Sequence, residues 1–198
     1  ACTAAEVGCT TFLIEKKPYL GGLAAEISKI PDKKRLADFP NYLIHRAEGL
    51  RNLFVFTDTE ATADFVKNLK PNIIVNATGS QPLLPPIAGL HENLGKEGSK
   101  VYSILDMINH VNDYPEDMTG KKVAVIGGGA VGLDVVEYFA PRGASVSIVE
   151  MLPAIGNGID PISKVGTFAM MDQYGVRQMT KTALKEVRPD SFYVETPE

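Results

Sequence analysis

A strand, a glycine-rich turn and a helix follow one another without a break in residues 122–140, and this unit constrains the chain most. Lys122 to Ile126 is a short apolar strand. Gly127 to Gly132 forms the turn, within VAVIGGGAVG. Leu133 to Ala140 has the apolar pattern of a helix, and Pro141 stops it because proline lacks the amide hydrogen the next turn requires. Each glycine has its own reason. Gly127 allows the tight turn from strand to helix. Gly129 carries no side chain, so an anionic group can approach the backbone. Gly132 lets helix and strand pack closely. Gly128, Ala130 and Val131 complete the turn, whose free N–H groups face outward along the positive end of the helix dipole.

Such a turn gains meaning from an acid about twenty residues on, at the end of the next strand. The strand Ser145 to Glu150 ends in that acid. A carboxylate there accepts hydrogen bonds from the hydroxyls of an adenosine ribose, which makes the unit a Rossmann-type dinucleotide site. Glu150 would repel a 2′-phosphate, and Met151, Leu152 and Pro153 supply no cation. NADH is therefore expected in preference to NADPH.

The rest of the chain alternates strands with helices, so an α/β fold with a mainly parallel sheet is expected. Strands are predicted at Thr10 to Glu15, Asn52 to Phe56, Asn72 to Asn76 (buried), Val176 to Met179 and Ser191 to Glu195. Ala1 to Gly8 reads as the tail of a helix, and Tyr19 to Gly22 as a tight turn. Leu36, Phe39, Tyr42, Leu43 and Ala47 fall at helical spacing. Thr62, Phe65, Val66 and Leu69 mark a helix ending before Pro71. Ser103 to His110 is predicted helical, and Asp160 with Pro161 opens a helix whose apolar face is Ile162, Val165 and Phe168. The proline-rich Gln81 to Leu90 should be extended and separate two domains.

Composition excludes several classes. A net charge of −4 gives no basic footprint for nucleic acid and no polybasic patch for a membrane. No apolar run reaches membrane-spanning length, and the N-terminus lacks a signal-peptide pattern. Cys2 and Cys9 form neither a CxxC pair nor a zinc spacing, which suits a reducing cytoplasmic setting. His45, His91 and His110 are scattered, so no metal site is expected. There is no GxSxG elbow, no other catalytic constellation, and no catalytic residue is assigned. The methionines read as core filler.

The order of landmarks carries a resemblance. Phe12 to Glu15 precedes Leu20-Gly21-Gly22, then NATG at Asn76 to Gly79, then QPLLPPIAGL, then the glycine turn. This resembles the flavoprotein oxidoreductases with two dinucleotide-binding domains, in which an NAD domain is inserted into an FAD domain. Within them it is similar to the C-terminal FAD- and NAD-binding part of the bacterial 2-enoate reductase group, with its dienoyl-CoA reductase and trimethylamine dehydrogenase relatives. The stretches QPLLPPIAGLHENL, SKVYSILDMI and GKKVAVIGGGAVGLDVVEYFA carry that closer match.

The resemblance implies that Glu15 holds the FAD ribose, that Gly22 passes the flavin nucleotide, and that Ala77, Thr78 and Gly79 line the FAD pocket. Asp134, where many relatives have glutamate, would lie near the nicotinamide. The family's first glycine turn would precede Ala1, and the last strand of the NAD sheet would follow Glu198. A Rossmann-like NAD domain at 91–198 and a partial FAD domain at 1–90, lacking its first strand–helix unit, are thus expected. FMN and an iron–sulfur cluster are implied only for other parts of a parent enzyme. Leu23-Ala24-Ala25 after Gly22 offers no cysteine pair, so a dithiol reductase is not expected.

The implied function is hydride transfer from NADH to FAD on the way to α,β-unsaturated carboxylates. Two alternatives stay open: another NADH-dependent flavin reductase, such as a dienoyl-CoA-reductase-like enzyme, and a non-catalytic NAD-binding module. The expected partners are NADH and the rest of the parent polypeptide, with a homo-oligomer left open. By itself the chain is expected to be inactive and to purify without FAD.

Overall fold

A computed structural model describes residues 1–80 and 82–197. Gln81, the first residue of the proline-rich stretch, and Glu198 lie outside the described residues. The chain divides into two compact units, Ala1–Pro82 and Leu83–Glu198.

In the first unit, α1 (Cys2–Glu6) leads to β1 (Thr11–Ile14). Then come α2 (Gly22–Ile27), a 3-10 helix (Pro31–Ala37), α3 (Asp38–Glu48), β2 (Leu53–Phe56) and α4 (Ala63–Asn68). β1 and β2 pair in parallel, Thr11 opposite Leu53 and Ile14 opposite Phe56. Alternation sends Leu53 into a core with Cys2, Ala5 and Ala47, packed by Leu13 and Leu50. The other face stacks Phe12 on Phe54 and Phe56, all partly exposed. Thr62, which the spacing put on the face of this helix, instead stands just before it: its side chain accepts the Phe65 N–H and caps α4.

Two readings in this unit change. The turn at Tyr19 to Gly22 runs directly into α2, which begins at Gly22 behind the left-handed Gly21. The predicted buried strand Asn72 to Asn76 is neither a strand nor buried. Ile73, Ile74 and Val75 are 81%, 68% and 82% exposed. β-branched residues favour extended backbone, but a strand also needs a neighbour for its N–H and C=O groups. Among the described residues none pairs with this run.

The second unit holds α5 (Leu90–Asn93), α6 (Ile104–Asn109), β3 (Lys122–Ile126), α7 (Ala130–Phe139), β4 (Ser145–Val149), α8 (Pro161–Gln173), β5 (Arg177–Met179), β6 (Ala183–Val187) and β7 (Phe192–Glu195). β3, β4 and β5 form a parallel sheet in that order, and β6 and β7 an antiparallel hairpin. The fold is α/β with parallel sheets, as expected. Ser103 and Asp106 form a capping box on α6. Leu133 and Val136 of α7, Ile148 of β4 and Met171 of α8 are almost wholly buried.

Asp160 caps α8 through the Ile162 and Ser163 amides, with Pro161 in the first turn. The face assigned to that helix is wrong. Ile162 and Val165 are 86% and 73% exposed, while Thr167 and Met171 are buried. The Thr167 hydroxyl donates to Glu137 of α7 at 2.8 Å, so a polar contact helps set which side turns inward. Met151, read as core, is likewise exposed. The strand β6 went unread because ALKEV lacks a clear alternation of apolar and polar residues.

The strand–turn–helix unit stands on one close approach. A Cβ on Gly132 would lie 1.9 Å from the Gly127 carbonyl oxygen and 3.3 Å from a Val125 methyl. The obstacle is backbone, so it cannot swing aside. Gly132→Ala is therefore expected to destabilise the second unit by about 1–3 kcal/mol through overpacking. A thermal melt unchanged from wild type would show that the turn has more room than these contacts allow.

Candidate functional site

The glycine turn and Glu150 come together as the sequence predicts, and more tightly. β3 and β4 lie side by side, with Ile126 opposite Val149, so Glu150 stands beside the start of the turn. The residue is only 9% exposed. Oε2 accepts the Gly128 N–H at 2.7 Å, and Oε1 accepts the Leu152 N–H at 2.7 Å. Hydrogen bonds to an ionised acceptor are among the stronger ones. Each oxygen keeps further acceptor capacity, which ribose hydroxyls can use.

Around the turn, Gly129 is the N-cap of α7 and has no side-chain cap. A Cβ on Gly127 or Gly129 would meet nothing within 4 Å, so the backbone is open there to an approaching group. Ala130 and Val131 are exposed in the first turn of α7, and Gly132 is its third residue. Asp134 lies half-buried farther along α7. The turn thus offers a helix terminus and open backbone, with a carboxylate tied to it. These features suit a pyrophosphate and its adjoining ribose.

The first unit repeats the carboxylate's setting. Glu15 ends β1 as Glu150 ends β4. The Glu15 amide donates to the carbonyl of Phe56 at the end of β2, and the Glu150 amide to that of Met179 at the end of β5. The Glu15 carbonyl accepts from Thr59, three residues after Phe56; that of Glu150 accepts from Thr182, three residues after Met179. The Glu15 carboxylate accepts the Lys17 N–H at 2.8 Å, matching the bond from Leu152 to Glu150. Asp58 and Lys181 hold the same place after their strands, both left-handed at φ 52° and 51°. Two glutamates far apart in sequence therefore share one backbone frame.

The other first-unit candidates are looser. Gly22 opens α2. Ala77, Thr78 and Gly79 lie in an exposed loop where the Thr78 amide and hydroxyl both donate to Asn76 Oδ1. Among the described residues no group of three or more His, Cys, Asp and Glu side chains could hold a metal ion, and no helix is long and apolar enough to cross a membrane.

One residue escaped the sequence reading. Glu26 of α2 is 4% exposed and receives Lys17 at 2.6 Å, Lys29, and the Tyr19 hydroxyl. This network pins the loop that links Glu15 to Gly22. A glutamate within the otherwise apolar GLAAEI, three residues before a lysine, was the available signal.

A parallel α/β unit with this turn and acid defines a dinucleotide-binding domain. The pyridine nucleotide-disulphide oxidoreductase family matches residues 51–197, and the chain belongs to that family. It is 34% identical, over 96% of its length, to the NADH oxidase of Thermoanaerobacter brockii, of which it covers 28%. It is 33% identical, over 76% of its length, to the cinnamate reductase of Clostridium sporogenes, of which it covers 21%. The structure of a 2-naphthoyl-CoA reductase in complex with 2-naphthoyl-CoA superposes with a TM-score of 0.81 at 25% identity, covering 99% of this chain and 28% of that one. The chain thus spans under a third of these relatives. The family implies binding of FAD and NAD(P)H, and the chain is a domain of flavin-dependent oxidoreductase type.

Burial by itself would raise the Glu26 carboxyl, but hydrogen bonds from Lys17, Lys29 and Tyr19 outweigh it and hold the pKa at about 2, against an ordinary 4.5. A depressed carboxyl stabilises the fold above its unfolded value, and that stability drains away as pH falls from 4.5 through 2. The two lysines are nearly half exposed, so solvent screens part of the effect. Glu26→Gln is expected to flatten the acid limb of the melting temperature against pH across that window. The same slope in wild type and variant would remove the ion network from the account.

Proposed function

We propose that the second unit binds NADH, with its pyrophosphate on the turn Gly127 to Gly132 and its adenosine ribose on Glu150. Asp134 lies toward the nicotinamide end, and the first unit contributes to the FAD site through Glu15, Gly22 and Ala77-Thr78-Gly79. The observation that carries this reading is the shared frame of Glu15 and Glu150. A family that uses two dinucleotides needs two such carboxylates, and this chain holds two in matching hydrogen-bond settings. When bound, the nucleotide supplies a hydride and the flavin accepts it. The chain's own part is to bind and orient, so no residue here serves as general acid or base.

For the whole protein we propose NADH-driven reduction of an α,β-unsaturated carboxylate or its thioester. The likeness to a cinnamate reductase and to a 2-naphthoyl-CoA reductase supports this. The FMN and iron–sulfur cluster of enoate-reductase-like enzymes would belong to other parts of such a protein. A cytoplasmic location fits that chemistry. An NADH oxidase among the relatives favours a second reading, a flavin reductase with another acceptor.

Glu150 gives the test. Its carboxylate accepts from both ribose hydroxyls of NADH, whereas NADPH replaces one donor with a like charge. The lost charged hydrogen bond is worth about 1.5–3 kcal/mol, roughly tenfold to a hundredfold in affinity. Calorimetric titration is expected to find NADH tighter than NADPH by that margin, and Glu150→Ala to weaken NADH and narrow the gap. Equal affinity of wild type for the two nucleotides would remove the role given to Glu150.

A further inference from the structure

The loop after Glu150 closes on the middle of the glycine turn. The dinucleotide pattern leaves position 128 free, yet Gly128 is buried and held from three directions. Its N–H donates to Glu150 Oε2 at 2.7 Å. Its carbonyl accepts the Gly156 N–H at 2.7 Å. Ile155, 3% exposed, packs over it so closely that a Cβ on Gly128 would lie 2.9 Å from Ile155 Cγ1 and 3.2 Å from Cγ2.

Gly156 is itself fixed. Its φ is +78°, and a Cβ there would meet Lys164 Cε at 3.1 Å and Phe168 Cε2 at 3.3 Å, both from α8. The Asp160 cap anchors the start of that helix. At its other end the loop is tied by the Leu152 N–H to Glu150, and by the Leu152 carbonyl to Lys181 at 3.0 Å. The loop is therefore a strap secured at both ends, with Ile155 and Gly156 pressed against the turn.

We infer that Ile155 and Gly156 are positioning residues for the nucleotide: the strap holds the glycine turn in its pyrophosphate-binding form before the nucleotide arrives. This rests on the NADH reading given above. A loop free to move would have to be ordered on binding, which lowers affinity; a strapped one is already ordered. The division of labour follows. Glu150 faces the ribose and sets the choice between NADH and NADPH. The strap acts through the turn on the pyrophosphate, which both nucleotides share, and so sets how tightly either binds.

The test uses the full chain with NADH and NADPH in calorimetric titrations, alongside amide hydrogen exchange. Ile155→Ala is expected to weaken both nucleotides by about tenfold while leaving their ratio at the wild-type value, because a small displacement of a positioning group has effects of that order or larger. Exchange at the Gly128 and Gly156 amides should quicken, with Val123 to Val125 as protected as in wild type. Ile155→Val, which keeps the β-branch over Gly128, should retain near-native affinity, and Gly156→Ala should behave like Ile155→Ala. If Ile155→Ala does not fold, the exchange pattern and affinity of Ile155→Val and Gly156→Ala decide the matter in the same way. Wild-type NADH affinity in Ile155→Ala, or a changed NADH to NADPH ratio, would overturn the strap. Failure of the wild-type chain to bind either nucleotide would instead overturn the NADH reading, and the strap with it.

Discussion

The buried carboxylate of Glu150 ties together the parts of the second unit that concern ligand binding. It sits at the end of the middle strand of a three-stranded parallel sheet and accepts one backbone N–H from each of two loops. A buried carboxylate without such donors would be costly, because an unpaired charge loses its hydration. Here the cost is offset by bonds that also bring the glycine turn and the following loop to the same point. The parallel register of β3 and β4 makes this possible, since it ends both strands side by side. The close approach of Gly132 to the Gly127 carbonyl then seats α7 against β3.

The same arrangement at Glu15 gives the first unit a physical interpretation. Carboxylate, i+2 amide, neighbouring strand end and left-handed residue recur in one order. Such a frame places a carboxylate at the carboxyl edge of a parallel sheet, where α/β folds bind their ligands. What differs is the support. Glu150 is braced by a glycine turn, whereas the loop after Glu15 is braced by Glu26 and its lysines.

These features also explain why family and substrate stand on different footings. The turn and the acid recur among dinucleotide-binding proteins of differing chemistry, so they leave the acceptor open. Relatives as different in name as an NADH oxidase and a cinnamate reductase match this one stretch.

The sequence by itself determined the strand–turn–helix unit, the acid at its side, the cap of α8 and the parallel α/β class. All of these are local: a glycine needed for a tight turn, an oxygen one turn from a free amide, a proline that fixes a helix start. Tertiary structure decided the rest. The apolar run at Ile73 to Val75 reads as a buried strand, yet burial depends on a neighbour that no local pattern can supply. The inward face of α8 carries Met171 and Thr167, the latter meeting Glu137, a contact thirty residues apart in the chain. The partners of Glu26, the matching frames of the two glutamates and the grip of Ile155 on Gly128 arise only when loops and strand ends meet in space. Spacing reveals which residues a turn requires; only packing reveals which side chains hold that turn still.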